Sequence, residues 1–288
     1  MRNRDWTLVF FTSLTQMSVG IILCFTMSSF LTGGSGAFTG TGLSLESPVV
    51  LALLLAGAAT FISFLHLGKP SNAPNALNNL RGSWISREIL ALGVYSASLV
   101  AVLLSGWRTG SSEYGPWLLG LGCASGAVLV FMMIRIYRMP TIPAWNGWYT
   151  CMSFATATFS LGLIAFLMLF FTGLARLDAG AVSAMLVALI LVLLVETVSA
   201  LFNQVQLGKM DTGFDGPVLD GGTFYRVFLV RMAMLIIAVI LLFYLLIRVD
   251  PPLADVQYIV AFFAFFLVMA QELTGRLLFY SSYFRLGV

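Results

Sequence analysis

Charge is what this sequence lacks most. Of its 288 residues only 9% are Asp, Glu, Lys or Arg, against about 25% in an ordinary soluble domain. A chain so poor in charge cannot cover a water-facing surface. With 59% hydrophobic residues, its apolar stretches reach roughly 20 residues, the length that crosses about 30 Å of hydrocarbon. Lipid is therefore the expected solvent. Histidine is reduced to one, His66, which excludes the histidine pair usual for haem b in a membrane subunit. The three cysteines, Cys24, Cys123 and Cys151, are far apart and form no CxxC spacing. They offer no zinc or iron–sulfur motif and read as small apolar fillers. Without haem ligands, cluster cysteines or a flavin fingerprint, no electron carrier and no metal are expected in this chain.

What is present is a series of apolar runs separated by turn chemistry. Helices are predicted near 8 to 30, 48 to 66, 86 to 105, 116 to 137, 150 to 173, 180 to 203, 228 to 247 and 256 to 280. The breaks carry Gly33-Gly34-Ser35-Gly36, Lys69-Pro70-Ser71-Asn72, Pro140 with Pro143, Asp215-Gly216-Pro217 and Asp250-Pro251-Pro252, all turn formers. Arg2 and Arg4 precede the first run, but that run is too long for a signal-peptide core and reads as a spanning helix. The fold class expected is an all-α integral membrane protein of about eight transmembrane helices, residues 1–288 forming one domain.

If eight helices alternate, twelve basic residues fall on the face that holds the N-terminus and only Arg108, Arg176 and Arg248 on the other. The positive-inside rule then puts both termini and the His66 face in the cytoplasm. A faint repeat accompanies the even number: His66-Leu67-Gly68-Lys69 recurs as Gln206-Leu207-Gly208-Lys209, an offset of 140, and Arg135 and Arg276 differ by 141. Possible halves 1–140 and 141–288 would be two four-helix bundles in the same orientation.

Ionisable groups in spanning helices are functional candidates by default. His66 closes the second predicted helix, and Glu88 opens the third after Arg81, Ser86 and Arg87, which brings them to one membrane depth. A quinol loses two protons with two electrons, so imidazole and carboxylate acceptors fit its hydroxyls and an arginine fits an anionic form. The plainer reading is hydrated or helix-capping groups at headgroup level, with the arginines as topology signals. Glu196 lies inside the sixth helix, either on a proton path or as a structural hydrogen-bonding group. Glu272 and Arg276, four residues apart on the eighth, suit an intrahelical ion pair. Trp145, Trp148 and Tyr149 read as interface-belt aromatics.

Three blocks resemble a known family. His66-Leu67-Gly68-Lys69-Pro70 with Ala73, Ala76-Leu77-Asn78 and Ser86-Arg87-Glu88-Ile89 is similar to the HLGxP...A...LN...S.E region of the dimethyl sulfoxide reductase anchor subunits. Met132-Met133-Ile134-Arg135-Ile136-Tyr137 with Thr141-Ile142-Pro143-Ala144-Trp145 agrees, as does Glu272-Leu273-Thr274-Gly275-Arg276 with Phe279-Tyr280. The resemblance implies a haem-free anchor in a bacterial inner membrane. Such an anchor binds menaquinol and holds an iron–sulfur subunit and a molybdopterin catalytic subunit in anaerobic respiration. It maps menaquinol binding onto His66 and Glu88, with Arg81, Ser86 and Lys69 nearby, although Asn72 replaces an expected basic residue. Glu196, Glu272, Arg276, Arg135 and Tyr137 remain as proton-path or structural groups.

Terminal-substrate chemistry would lie in a partner subunit, this chain being a non-catalytic or quinol-oxidising part of the complex. The same family includes sulfite-oxidising complexes that reduce quinone, which stands as an alternative. A secondary transporter is another, supported by Glu196 alone, and no nucleic-acid partner is expected.

Overall fold

The computed structural model describes residues 3–31, 46–66, 75, 77–109, 115–172, 177–209, 221–248 and 255–283. Among them are eight helices and no strand: α1 (Asn3–Leu31), α2 (Glu46–His66), α3 (Trp84–Thr109), α4 (Gly115–Tyr137), α5 (Trp148–Phe171), α6 (Ala179–Lys209), α7 (Gly221–Ile247) and α8 (Asp255–Ser281). Seven are long and apolar enough to cross a membrane; the apolar part of α2 is the shorter Pro48–Phe64. This is the expected all-helical membrane architecture, and the chain is a multi-pass membrane protein.

Local chemistry sets several ends. Ser83 caps α3, its Oγ accepting the Ser86 N–H at 3.3 Å, so the helix begins at Trp84 rather than 86. Asp178 does the same for α6 through the Ala181 N–H at 2.7 Å. The larger departures are α6 and α7. Gln206-Leu207-Gly208-Lys209, expected beyond the sixth helix, is its last turn, and α7 starts at Gly221 rather than 228. Polar residues such as Asn203 and Arg226 are tolerated there because the helix backbone satisfies its own hydrogen bonds.

The bundle is built around two helices. The spans of α1 and α5 are each 78% buried, whereas the other long spans are 22% to 39% buried. α1 packs on α2, α4 and α5, and α5 packs on α6, α8 and α1. The pairs α3 with α4 and α7 with α8 close the two halves, and α2–α3 contact matches α6–α7 contact. Each half thus repeats one packing plan about the α1–α5 seam. The end of α4, the end of α8 and the starts of α1 and α5 meet, as the Tyr137, Tyr280, Thr12 and Trp145 contacts show. Odd helices therefore begin, and even ones end, at one end of the bundle, called the His66 end below.

At the seam, two glycines let the backbones touch. A Cβ on Gly20 would lie 2.7 Å from the Gly162 Cα and would collide with the Thr158 carbonyl, and a Cβ on Gly162 would strike the Gly20 backbone. Neither obstacle is a movable side chain, and close approach of small residues is how helices pack where lipid offers no hydrophobic drive. Gly20→Val and Gly162→Val are each expected to cost about 1–3 kcal/mol or more through forced helix separation. Both should lower the midpoint of detergent-solubilised unfolding, while Gly57→Val, with open space around its Cβ, should leave it almost unchanged.

Candidate functional site

Three residues organise the rim of the His66 end. Arg87 folds back on the connection before α3, its Nε donating to the Leu80 carbonyl at 2.8 Å and its Nη2 to the Arg81 carbonyl at 2.7 Å. Its guanidinium lies 4.2 Å from the centre of the Trp84 ring, and Arg135 sits 4.8 Å from the same ring. One indole between two cations fixes the α3–α4 corner. Inside that corner, Ser86 and Glu88 turn inward and are buried.

Glu88 is the notable group. Its carboxyl is buried, and no described residue donates a hydrogen bond to it. It lies within electrostatic reach of the Tyr137 and Tyr280 hydroxyls. Those two hydroxyls are 2.9 Å apart, and the Tyr280 oxygen is 3.4 Å from Thr12 Oγ1. A short series of hydroxyls thus converges from α1, α4 and α8.

Arg276 extends this group toward the seam. It donates from Nη2 to Gln16 Oε1 at 2.7 Å and to the Ser153 carbonyl at 3.3 Å, and its guanidinium lies 3.8 Å from the centre of the Phe154 ring. Gln16 in turn donates to the Phe154 carbonyl at 2.8 Å. The Arg276 Nη1 is buried with no hydrogen-bond partner among the described residues. The expected ion pair between Glu272 and Arg276 does not form, because each side chain leaves its own helix for a neighbour: Glu272 accepts a short hydrogen bond from Ser160.

Trp145 is not a belt aromatic. It is buried, stacks on Phe279 at 5.2 Å between ring centres, and donates from Nε1 to the Phe279 carbonyl at 2.8 Å. Tyr137, Phe154 and Tyr280 complete the cluster. Tyr149 is buried too, its hydroxyl on the Pro143 carbonyl at 3.0 Å, whereas Trp148 is exposed as a belt residue would be. The connection 138–147 folds under the bundle because its backbone turns are closed by Thr150 Oγ1 on the Trp145 carbonyl at 2.6 Å.

Deeper in the second half, Arg231 of α7 pairs with Glu196 of α6. Gln271 joins them, its Oε1 3.4 Å from Arg231 Nε. Gly275 makes room: a Cβ there would stand 2.6 Å from the Arg231 guanidinium carbon. Arg231, counted above as a topology signal, is a buried structural partner. Its signal in the sequence was depth: Glu196 precedes the end of α6, and Arg231 follows the start of α7, by similar lengths of helix. Gln16 and Gln271, uncharged, gave no such signal.

The predicted site residues divide accordingly. Tyr137 pairs with Tyr280 and Arg276 sits on Gln16, Ser153 and Phe154, Ser86 and Glu88 are buried in the first turns of α3, and Arg135 braces Trp84. Arg81 is exposed and contributes its carbonyl to Arg87. His66 ends α2, which packs on α3. Lys69 and the side chain of His66 lie outside the described residues. Glu196 and Glu272 belong to the inner polar group. A small cavity, about 40 Å³, opens between α5, α6, α7 and α8, with Glu196 and Arg231 in its wall. Phe279 separates it from Trp145. Among the described residues no cluster of three metal-ligating side chains occurs.

The sequence profile of the family described as DMSO reductase anchor subunit (DmsC) matches residues 1–282. The protein is 27% identical over 240 residues to one chain of the anaerobic dimethyl sulfoxide reductase of Escherichia coli, a match that takes in 82% of this chain and 80% of that one. It is 31% identical over 159 residues to a further E. coli anaerobic dimethyl sulfoxide reductase chain, YnfH, a match of 52% of each, so it spans about half of that relative's length. A subunit of the sulfite dehydrogenase of Allochromatium vinosum is 32% identical over 108 residues, 35% of this chain and 31% of that one.

The inner pair makes its own test. Arg231→Met leaves the Glu196 carboxylate buried without its cation and is expected to cost on the order of 3–5 kcal/mol. The double variant Glu196→Gln with Arg231→Met removes both charges and should recover most of that loss. Unfolding midpoints of the three proteins in one detergent check it; equal loss in the single and double variants would show that the charge pairing is not what holds α6 to α7.

Proposed function

The chain belongs to the family of DMSO reductase anchor subunits, and on that premise we propose that it binds menaquinol at the His66 end and passes its electrons to a docked iron–sulfur subunit. The complex is completed by a molybdopterin catalytic subunit, and this chain is its membrane part. The observation that carries the reading is Glu88: a buried carboxyl with no described hydrogen-bond donor, in the first turn of α3 at the His66 end of a lipid-embedded bundle. Buried polar groups are normally paired, so an open carboxyl fits a ligand that brings its own hydroxyls.

Oxidation of a quinol releases two protons together with two electrons. Glu88 supplies a carboxylate oxygen as acceptor for one of those protons. The Tyr137 and Tyr280 hydroxyls, 2.9 Å apart, orient the ring and link the acceptor to Thr12. Arg276 holds positive charge behind the tyrosines, fixed by Gln16 and Phe154, where it steadies negative charge near the ring. His66, at the end of α2, is the second proton acceptor in this scheme. The Trp145–Phe279 stack closes the site toward α5 and keeps water out.

The basic bias of the His66 end supports a placement with both termini cytoplasmic in a bacterial inner membrane. It also supplies a surface for the partner subunits around Arg81, Arg87 and Arg138. The similarity to a sulfite dehydrogenase subunit supports a second direction, in which the same groups return protons to a quinone. For a transporter, Glu196 was the supporting residue, and its pairing with Arg231 gives it a structural role instead.

Two measurements test the reading. In membranes carrying the assembled complex, Glu88→Gln is expected to lower menaquinol-dependent reduction of the terminal acceptor at least about tenfold, a change worth about 1.4 kcal/mol in a barrier. His66→Ala should do likewise, while turnover from an artificial donor that feeds the partner subunits directly stays unchanged. Full menaquinol turnover in both variants would refute the site. Separately, a fluorescent protein fused after Val288 should be bright and an alkaline phosphatase fused there inactive; the opposite pattern would reverse the orientation.

A further inference from the structure

Arg81, Arg87, Arg135 and Arg138 gather at the α3–α4 corner of the His66 end, and no described carboxylate answers them. Arg231 with Glu196 is the one ion pair among the described residues, and Glu88, although it lies in the first turn of α3, is turned inward and buried. Arg87 uses its Nε and Nη2 on the Leu80 and Arg81 carbonyls and has no described acceptor for Nη1. Arg135 is barer still. It is only partly exposed, its contact is the face of the Trp84 ring at 4.8 Å from the ring centre, and none of its N–H groups has an acceptor among the described residues.

Two guanidiniums on one indole repel each other, and a half-buried cation without an acceptor carries a desolvation cost that an anion removes. The apolar surroundings say where the anion comes from. Arg135 and Arg138 share an exposed face of α4 with Phe131 and Val128, at the three- and four-residue spacing of one helix side. The helical path continues to Arg138, whose N–H donates to the Ile134 carbonyl at 3.0 Å. On α3, Leu90 and Val94 stand exposed beneath Arg87 at the same spacing. Cations at the rim with apolar side chains beneath match a phosphodiester with acyl chains beneath it. A free phosphate ion or a water-soluble protein surface would leave the apolar half unused.

We propose that the lipid-facing flank of the α3–α4 pair is a binding site for one net-anionic phospholipid of the leaflet at the His66 end. Its phosphodiester lies between Arg87 and Arg135 beside Trp84, and its chains run along Leu90 and Phe131. The guanidinium fork suits phosphate oxygens, and basic pockets between spanning helices hold anionic headgroups. Phosphatidylcholine and phosphatidylethanolamine fit less well, because their ammonium groups bring a further cation to a place that already has an excess. The site uses the side of the bundle and none of the Glu88 group, so it stands independently of the quinol reading.

The test uses the full chain in phosphatidylcholine nanodiscs that contain a minor fraction of phosphatidylglycerol with a photoreactive diazirine near the head of one acyl chain, and peptide mass spectrometry to place the label. Wild-type protein should carry label within residues 84–94 and 128–138, displaced by unlabelled phosphatidylglycerol but not by phosphatidylethanolamine or inorganic phosphate. Arg135→Gln and Arg87→Gln should each lower that label about fivefold, the change that about 1 kcal/mol per cation beside a charged headgroup implies. Arg226→Gln removes a cation from the same end, at the start of α7, and should leave the label unchanged. The label should also persist with the partner subunits bound. Label spread evenly over all the helices would overturn the proposal, as would label that survives both arginine variants or is displaced by inorganic phosphate. Loss of the label on partner binding would overturn it too, by giving the patch to a protein surface.

Discussion

The contact on which the rest of this bundle hangs is the crossing of α1 and α5 at Gly20 and Gly162. The two backbones meet with no side chain between them, and dispersion and interhelical hydrogen bonds are the forces available in lipid. Because the backbones are so close, Gln16 reaches the Phe154 carbonyl and Arg276 reaches both Gln16 and Ser153. The same proximity brings the end of α4, the end of α8 and the start of α3 into one corner. Separate the seam, and Thr12, Tyr137 and Tyr280 no longer meet.

The seam also explains how polarity is distributed. In water the most apolar helices would be central, but here the most apolar spans, α6 and α7, belong to the outer, lipid-facing helices. α1, which is central, buries Thr12, Ser13, Thr15, Gln16 and Ser18 in succession. Ser18 bridges to the Ala52 carbonyl at 2.6 Å and to the Tyr95 hydroxyl at 2.9 Å, tying α1 to α2 and α3 by polar contacts. Hydrocarbon is a poor solvent for such groups, so they turn inward and become the specific fasteners of the bundle. Arg231 follows the same logic in the second half, where Glu196 and Gln271 receive it.

Helix number and approximate ends were legible because lipid imposes a length on any apolar run, and a span such as 116 to 137 can hardly be anything else. Glu88 drew attention in the sequence because a carboxylate beside an arginine at a helix start is rare in apolar sequence, and it is buried in the structure. What was not legible is who meets whom. Glu272 and Arg276 have the spacing for a pair, yet each finds a better partner on another helix, which periodicity cannot reveal. Trp145 sits beside prolines near a helix start, the usual setting of a belt residue, and only the folding of 138–147 beneath α8 buries it. Gln204 to Lys209 read as a loop because they are polar, although a helix that protrudes past the hydrocarbon needs no apolar face.

A centre built from α1 and α5 has a consequence for how the protein is made. Gln16 and its acceptor on Phe154 are 138 positions apart, so at about 5–20 residues per second of synthesis the first helix waits on the order of ten seconds for its mate. During that interval the Gln16 amide has neither water nor its eventual partner on α5, although Thr12 is satisfied within α1 and Ser18 can already reach α2 and α3. α1 thus reaches the last of its final surroundings only with α5, and the bilayer, or whatever insertion machinery holds the nascent polypeptide, must shelter its Gln16 until the second half arrives.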